Sequence, residues 1–254
     1  MLHEELLNEI LPKEKLKCLK EFIQDYISDP NVVGIILTGS FVHGDPGPRA
    51  DLDIHIVLKE SNNRDRGNIF IDGHEIEYFV NPVNQIERYF EKEFPNDIST
   101  AHMFGNSIVL FEKGPDLQRL INIAKHYLRK ARPDMTSYDI YFCRYELDDY
   151  RKDILDALDE NDKFTFELIS IQIIRAIIHY FGRYKNFYPG KPKRLLKQLQ
   201  EIDKTFANIL KGYLEYNGTI VERYKLLDEC ISYIESFYGG SRPDEYNLTA
   251  DLDL

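Results

Sequence analysis

The chain has 254 residues, 43% of them hydrophobic and 30% charged, which describes a soluble globular protein large enough for one large domain or two of ordinary size. Acidic residues outnumber basic ones by 43 to 32, and the net charge of −11 argues against a nucleic-acid partner, because phosphate contacts need clustered Lys and Arg. A small or cationic partner suits that balance better.

In chain order, His3 to Ile10 and Lys13 to Ile27 carry apolar residues at helical spacing and are separated by Pro12. After the turn at Asp29-Pro30-Asn31, Val32 to Leu37 is apolar enough for a strand buried on both faces. A Gly/Pro-rich loop follows, with a short helix predicted to begin at Ser40, and Asp51 to Leu58 forms a second strand. Ser61 to Gly67 has the composition of a polar loop. Asn68 to Ile71, Asp72-Gly73 and His74 to Val80 give a strong hairpin signal. An amphipathic helix is predicted over Val83 to Phe94, a short strand over Ile108 to Phe111 and a helix over Asp116 to Leu128. Beyond Arg132-Pro133-Asp134 the pattern is helical only, over Tyr138 to Leu158, Phe164 to Tyr184, Lys193 to Gln200, Lys204 to Tyr216 and Val221 to Tyr238. Cys18, Cys143 and Cys230 are far apart with no metal-clip or redox spacing, which predicts reduced structural thiols. Glu4 and Glu5 stand where a signal peptide would be basic, and no apolar run approaches membrane-spanning length, so a cytoplasmic protein with no membrane partner is expected.

The chemistry concentrates between Gly39 and Asp53. Asp51 and Asp53 lie two apart on a strand, so both carboxylates project to one side while Leu52, Ile54 and Ile56 project to the other. Adjacent carboxylates repel unless a cation sits between them, and hard oxygen ligands favour Mg²⁺ accompanied by phosphate oxygens. Gly39 removes the side chain where a phosphate would approach, and Ser40 adds a hydroxyl and an N–H, so the stretch reads as a site for a metal-bound nucleoside triphosphate. Two-ion phosphoryl chemistry needs a third carboxylate. Glu75 and Glu77 are the candidates, and Glu77, followed by Tyr78-Phe79-Val80, lies deeper in the sheet.

Gly39-Ser40, ten intervening residues, Asp51-x-Asp53 opening an apolar strand and a Glu on a later strand together resemble the DNA polymerase beta-like nucleotidyltransferase superfamily. The likeness is greatest to the antibiotic nucleotidyltransferases of the kanamycin, streptomycin and lincosamide type. It continues through Ile76 to Val80, the helix with Ile86, Tyr89 and Phe90, Ile108 to Phe111 and Gly114. Periodicity and the resemblance together give an α+β fold, with a catalytic domain over residues 1–130 that has a mixed sheet and flanking helices and a helical bundle over 134–238, and composition marks an acidic tail over 239–254. The resemblance further implies that Gly39 and Ser40 contact the triphosphate, that Asp51, Asp53 and Glu77 ligate two Mg²⁺ ions and act as the catalytic residues, and that ATP is the donor. The acceptor would be a hydroxyl of a small molecule such as an aminoglycoside or lincosamide, and a homodimer would fit several relatives. Two alternatives stay open: adenylylation of a protein, as by antitoxins of this kind, and a nucleotide sensor that no longer turns over.

Among the remaining candidates, Arg49 is the positive charge in the loop, either gripping phosphate or facing solvent. Lys191, Lys193 and Arg194, beside the Pro189-Gly190 turn, either bind the triphosphate or form a solvated charged turn. The general base lies between Glu77 and a bundle residue, Glu146 or Glu167. His55 either orients a metal ligand or is a structural histidine. Arg175 among four isoleucines needs an acidic partner or a cleft, and His179 follows one turn later; their spacing is one residue short of the signature of bundle-type toxin ribonucleases, and that activity is not assigned.

Overall fold

The computed structural model describes residues 4–247 and Thr249. His3, at the start of the first predicted helix, and Leu248 with residues 250–254 of the predicted tail lie outside them. The chain forms two compact units, Met1–Ala131 and Arg132–Leu254.

The first unit runs α1 (Glu4–Ile10), α2 (Lys13–Ser28), β1 (Val32–Thr38), β2 (Leu52–Leu58), β3 (Asp65–Ile71), β4 (His74–Pro82), α3 (Val83–Glu93), α4 (Ser99–Gly105), β5 (Ile108–Glu112) and α5 (Asp116–Arg129). Its five strands lie in the order β3-β4-β2-β1-β5, with β2 and β4 parallel and the other pairs antiparallel. Every residue of β1 is buried because helices cover both faces of the sheet. On one face Ile35, Leu37, Ile54 and Ile76 pack with Leu7, Leu19 and Ile23 of α1 and α2. On the other, Val33, Ile36 and Val57 pack with Ile86 and Phe90 of α3, Phe104 of α4 and Leu117 of α5.

The β3-β4 hairpin turns at Asp72 and Gly73, whose φ angles of 49° and 79° are those of a type I′ turn. The turn places β3 on the sheet edge, where Asp65 and Arg66 blunt further strand pairing. β3 begins at Asp65, inside the stretch whose composition reads as loop. At α4, also absent from the sequence pattern, Asp97 Oδ1 accepts from the backbone N–H groups of Ile98 and Ser99 at 2.7 and 3.0 Å. The carboxylate of Glu93 accepts from the N–H and hydroxyl of Thr100 at 2.8 and 2.5 Å. These side-chain contacts organise a helix of seven residues, too short for a readable apolar period. The two parts of the chain together make an α+β protein, with all five strands of the described residues in the first unit.

The second unit consists of α6 (Ser137–Asp159), α7 (Lys163–Tyr184), α8 (Pro192–Ile202), α9 (Lys204–Glu215) and α10 (Ile220–Phe237). Thr136 with Asp139 and Thr219 with Glu222 form capping boxes, while Asp162 and Asp203 cap α7 and α9. The core includes Leu147, Ile173, Phe181, Phe206, Leu227 and Ile231. Contrary to the expectation that no segment approaches spanning length, α7 is long and apolar enough to cross a membrane by length and composition. Its Phe166, Ile173, Ile177 and Phe181 are buried in the bundle core. Cys18, Cys143 and Cys230 are free and buried.

Candidate active site

Three neighbouring strands build the site. Thr38 at the end of β1 pairs with Asp53 on β2, and Asp53 pairs with Glu77 on the parallel strand β4. Parallel pairing of β2 with β4 puts Asp53 and Glu77 side by side, and Asp51, one pleat earlier, faces the same way. Asp51, Asp53 and Glu77 each offer a carboxylate oxygen, and these atoms lie within 4.8 Å of one another. Two ionised carboxylates at that separation repel by about 3 kcal/mol at an effective dielectric of about 20. All three are half-buried. The chemistry fits a hard divalent cation, which replaces this repulsion with attraction.

The turn after β1 closes on the same carboxylates. Gly39 has φ of 79°, in the left-handed region, and a Cβ there would fall within the Asp53 carboxylate. Only glycine lets the chain turn this close to Asp53. The short helix expected from Ser40 is not formed: the backbone makes one turn, with His43 N–H donating to Gly39 O at 3.3 Å and Asp45 N–H to Ser40 O at 3.1 Å. Gly44, with φ of 69°, and the prolines at positions 46 and 48 prevent the turn from propagating as a helix. Gly39 and Ser40 are half-buried beside the cluster, and Arg49 is exposed on the loop.

Arg66, which the composition assigned to a loop, is the counter-charge. Its Nε and Nη2 donate to Glu77 Oε1 at 3.1 and 2.6 Å. Carrying the hairpin register back from Asp72-Gly73 pairs Arg66 with Phe79, on the same face as Glu77, so extending the β3 pattern was the signal that would have found it. Glu75 accepts from Asn68 Nδ2 at 2.9 Å and lies outside the cluster.

His55, two residues after Asp53, is 6% exposed, stacked 4.7 Å from Phe79 and edge-on to Phe104. Burial lowers its pKa to about 4. Its Nε2 has no hydrogen-bond partner. The ring lines a cavity of about 340 Å³ between the sheet and α3 and α4, whose rim carries Arg64, Arg66 and Tyr89.

The other candidates belong to the second unit. Lys191 and Lys193 are exposed at the start of α8, and Arg194, half-buried, donates its N–H to Lys191 O at 2.9 Å. Glu167 pairs with Arg223, the Arg223 Nη2 to Oε2 distance being 3.2 Å. Glu146 accepts from the Tyr180 hydroxyl at 2.6 Å and lines a second cavity with Tyr150, Arg175 and His179. Arg175 thus lines a cleft together with an acid, Glu146. Burial, then the Arg132 and Arg183 charges, lower the His179 pKa, while burial and Glu146 raise those of Tyr150 and Tyr180.

No curated protein sequence matches the chain. Among solved structures, it is similar to a nucleotidyltransferase-like protein from Exiguobacterium sibiricum 255-15, with 12% identity and a TM-score of 0.48 over 88% of this chain and 76% of that one. Residues 16–105 match the family model of the nucleotidyltransferase domain, and this span runs from α2 to the end of α4 and contains Gly39, Ser40, Asp51, Asp53 and Glu77.

Proposed function

We propose that the protein is a nucleotidyltransferase that moves AMP from ATP to a hydroxyl of a small acceptor. The observation that carries this reading is the convergence of Asp51, Asp53 and Glu77 within 4.8 Å, beside the Gly39 turn and inside the matched span. These carboxylates would hold Mg²⁺, and when bound the metal supplies charge stabilisation at the α-phosphate and the departing pyrophosphate. The Gly39-Ser40 turn supplies the close backbone approach that a triphosphate needs. The acceptor oxygen forms a bond to the α-phosphorus, the bond between that phosphorus and the bridging oxygen of pyrophosphate breaks, and the hydroxyl proton passes to a carboxylate base. The residues contribute by positioning these groups in line, the main task in nucleotidyl transfer to a hydroxyl.

The test is pyrophosphate release by the purified chain with ATP and Mg²⁺ against a panel of aminoglycosides, lincosamides, nucleosides and polyols. The expected outcome is acceptor-dependent release that disappears in the Asp51→Asn, Asp53→Asn double variant. Release unchanged in that variant would sink the reading. Label from ATP on a protein band would redirect it to a protein acceptor, and tight Mg·ATP binding without release would redirect it to a sensor.

A further inference from the structure

We infer that the cavity between β2, β4 and the α3-α4 pair is the acceptor's subsite, and that it takes an oxygen-rich ring compound without net positive charge, of nucleoside or monosaccharide size. The inference rests on the nucleotidyl-transfer reading and names the substrate class of that same site.

Position comes first. On the face of the sheet that bears the carboxylates, the order is β1 with the Gly39 turn, β2 with Asp53, β4 with Glu77 and β3 with Arg66. If the departing pyrophosphate lies over the Gly39-Ser40 turn, in-line displacement requires the attacking hydroxyl on the opposite side of the α-phosphorus, toward β4 and β3. The cavity of about 340 Å³ is lined by β2, β4, β3, α3 and α4 and not by the Gly39 turn. Its wall residues Phe79 and His55 stand two positions beyond Glu77 and Asp53, about 7 Å further along their strands. Arg66 joins the two places, since it bonds Glu77 and also lines the cavity.

The lining then selects the ligand. His55 is 6% exposed, yet its Nε2 meets no protein partner and the ring lines the cavity. A buried polar nitrogen without a partner is costly, and a ligand hydroxyl or carbonyl that it meets after a small turn of the ring would satisfy it. Asn81 lies beside it on the same face, while Ile86, Met103 and the Phe104 ring provide apolar wall. At the rim the guanidinium groups of Arg64 and Arg66 and the Tyr89 hydroxyl are suited to ligand oxygens. The acids present are few. Both oxygens of Glu93 accept from Thr100, and burial raises its pKa, while Asp65, paired with Val80, projects to the opposite face of the sheet from Arg66. A polycationic acceptor needs several available carboxylates, so the cavity favours a neutral or anionic ring over the cationic acceptor that net charge suggested.

The test measures binding to the full chain without metal, by calorimetry and saturation-transfer NMR, for adenosine, N-acetylglucosamine, myo-inositol and kanamycin. The variants are Met103→Trp, which narrows the cavity, and His55→Phe, which keeps the ring and removes Nε2. In parallel, Mg²⁺ with α,β-methylene-ATP is titrated into each protein and into Asp51→Asn. The expected result is that at least one uncharged ring compound binds the wild type and loses about tenfold in affinity in each variant, while the methylene-ATP complex binds all but Asp51→Asn unchanged. Absence of binding by all three uncharged rings, or binding indifferent to both variants, would overturn the assignment. Kanamycin binding that weakens in the variants would overturn the ligand class. Loss of methylene-ATP affinity in Met103→Trp would give the cavity to the donor's base instead. Failure of the methylene-ATP complex to bind, or binding insensitive to Asp51→Asn, would overturn the nucleotidyl-transfer reading itself, a result distinct from the behaviour of the rings.

Discussion

Arg66 sends two donors, Nε and Nη2, to a single oxygen of Glu77, while its guanidinium lies 4.8 Å from the centre of the Phe79 ring. A cation is therefore already seated on the carboxylate cluster, and a divalent ion must compete with it for Glu77. The Arg66 side chain is 69% exposed, so the ion pair is worth at most about 1 kcal/mol. Arg66→Gln should strengthen Mn²⁺ binding about two- to fivefold, read by electron paramagnetic resonance titration of free Mn²⁺. Weaker binding would mean that Arg66 orders the cluster and does not compete with the ion.

Gly39 and Gly73 separate strain from site chemistry. Both have φ of 79°, but a Cβ at Gly39 meets the Asp53 carboxylate while one at Gly73 meets nothing within 4 Å. Alanine at either position should cost about 1–3 kcal/mol in urea unfolding. Only Gly39→Ala should also abolish Mn²⁺ binding, because it displaces Asp53. Retained Mn²⁺ affinity in Gly39→Ala would show that the turn tolerates a side chain.

His55 sets an acid limit on stability. Burial lowers its pKa to about 4 against 6.5 for the unperturbed group, so between these values the unfolded chain binds a proton that the folded chain does not. Its contribution to stability is complete above pH 6.5 and declines as pH falls to about 4. The total loss is about 3 kcal/mol. In His55→Phe the urea midpoint should depend less steeply on pH across this window than in the wild type, both metal-free. Equal slopes would contradict the assignment.

In the second unit, Arg151 bonds Asp228 Oδ1 at 2.6 Å and Glu235 at 3.0 and 3.1 Å, and the Glu235 side chain is 4% exposed. Arg151→Met leaves a buried carboxylate without its charge partner. A destabilisation of about 3–5 kcal/mol is expected. Adding Glu235→Met should recover most of it, measured by chemical unfolding. A double variant no more stable than the single would locate the loss in packing.

How much was legible in the sequence follows from which forces are local. The all-apolar run of β1, the alternation around Asp51-x-Asp53, the Asp72-Gly73 turn and the helical periods of the second unit each encode their element within a few residues, and the structure contains them. The start of β3 was not legible, because a charged edge strand looks like a loop until its partner β4 is in place. Nor was α4, which depends on Asp97 and on a contact from Glu93 in the preceding helix. The Ser40 helix was expected from the glycine-serine turn and is stopped by the Gly/Pro-rich loop that follows.

By itself the sequence determined the ingredients: a glycine where the chain must turn, two aspartates one pleat apart, and a glutamate on a later strand. Strand alternation is a property of the backbone, so the shared face of Asp51 and Asp53 needed no fold to establish it. Only the tertiary structure decided that β4 runs parallel beside β2 in the register that sets Glu77 against Asp53, that Arg66 closes the cluster, and that His55 is buried at the wall of a cavity. Those relations depend on pairing between segments distant in the chain, where register is fixed by which faces are buried and not by any neighbouring residue.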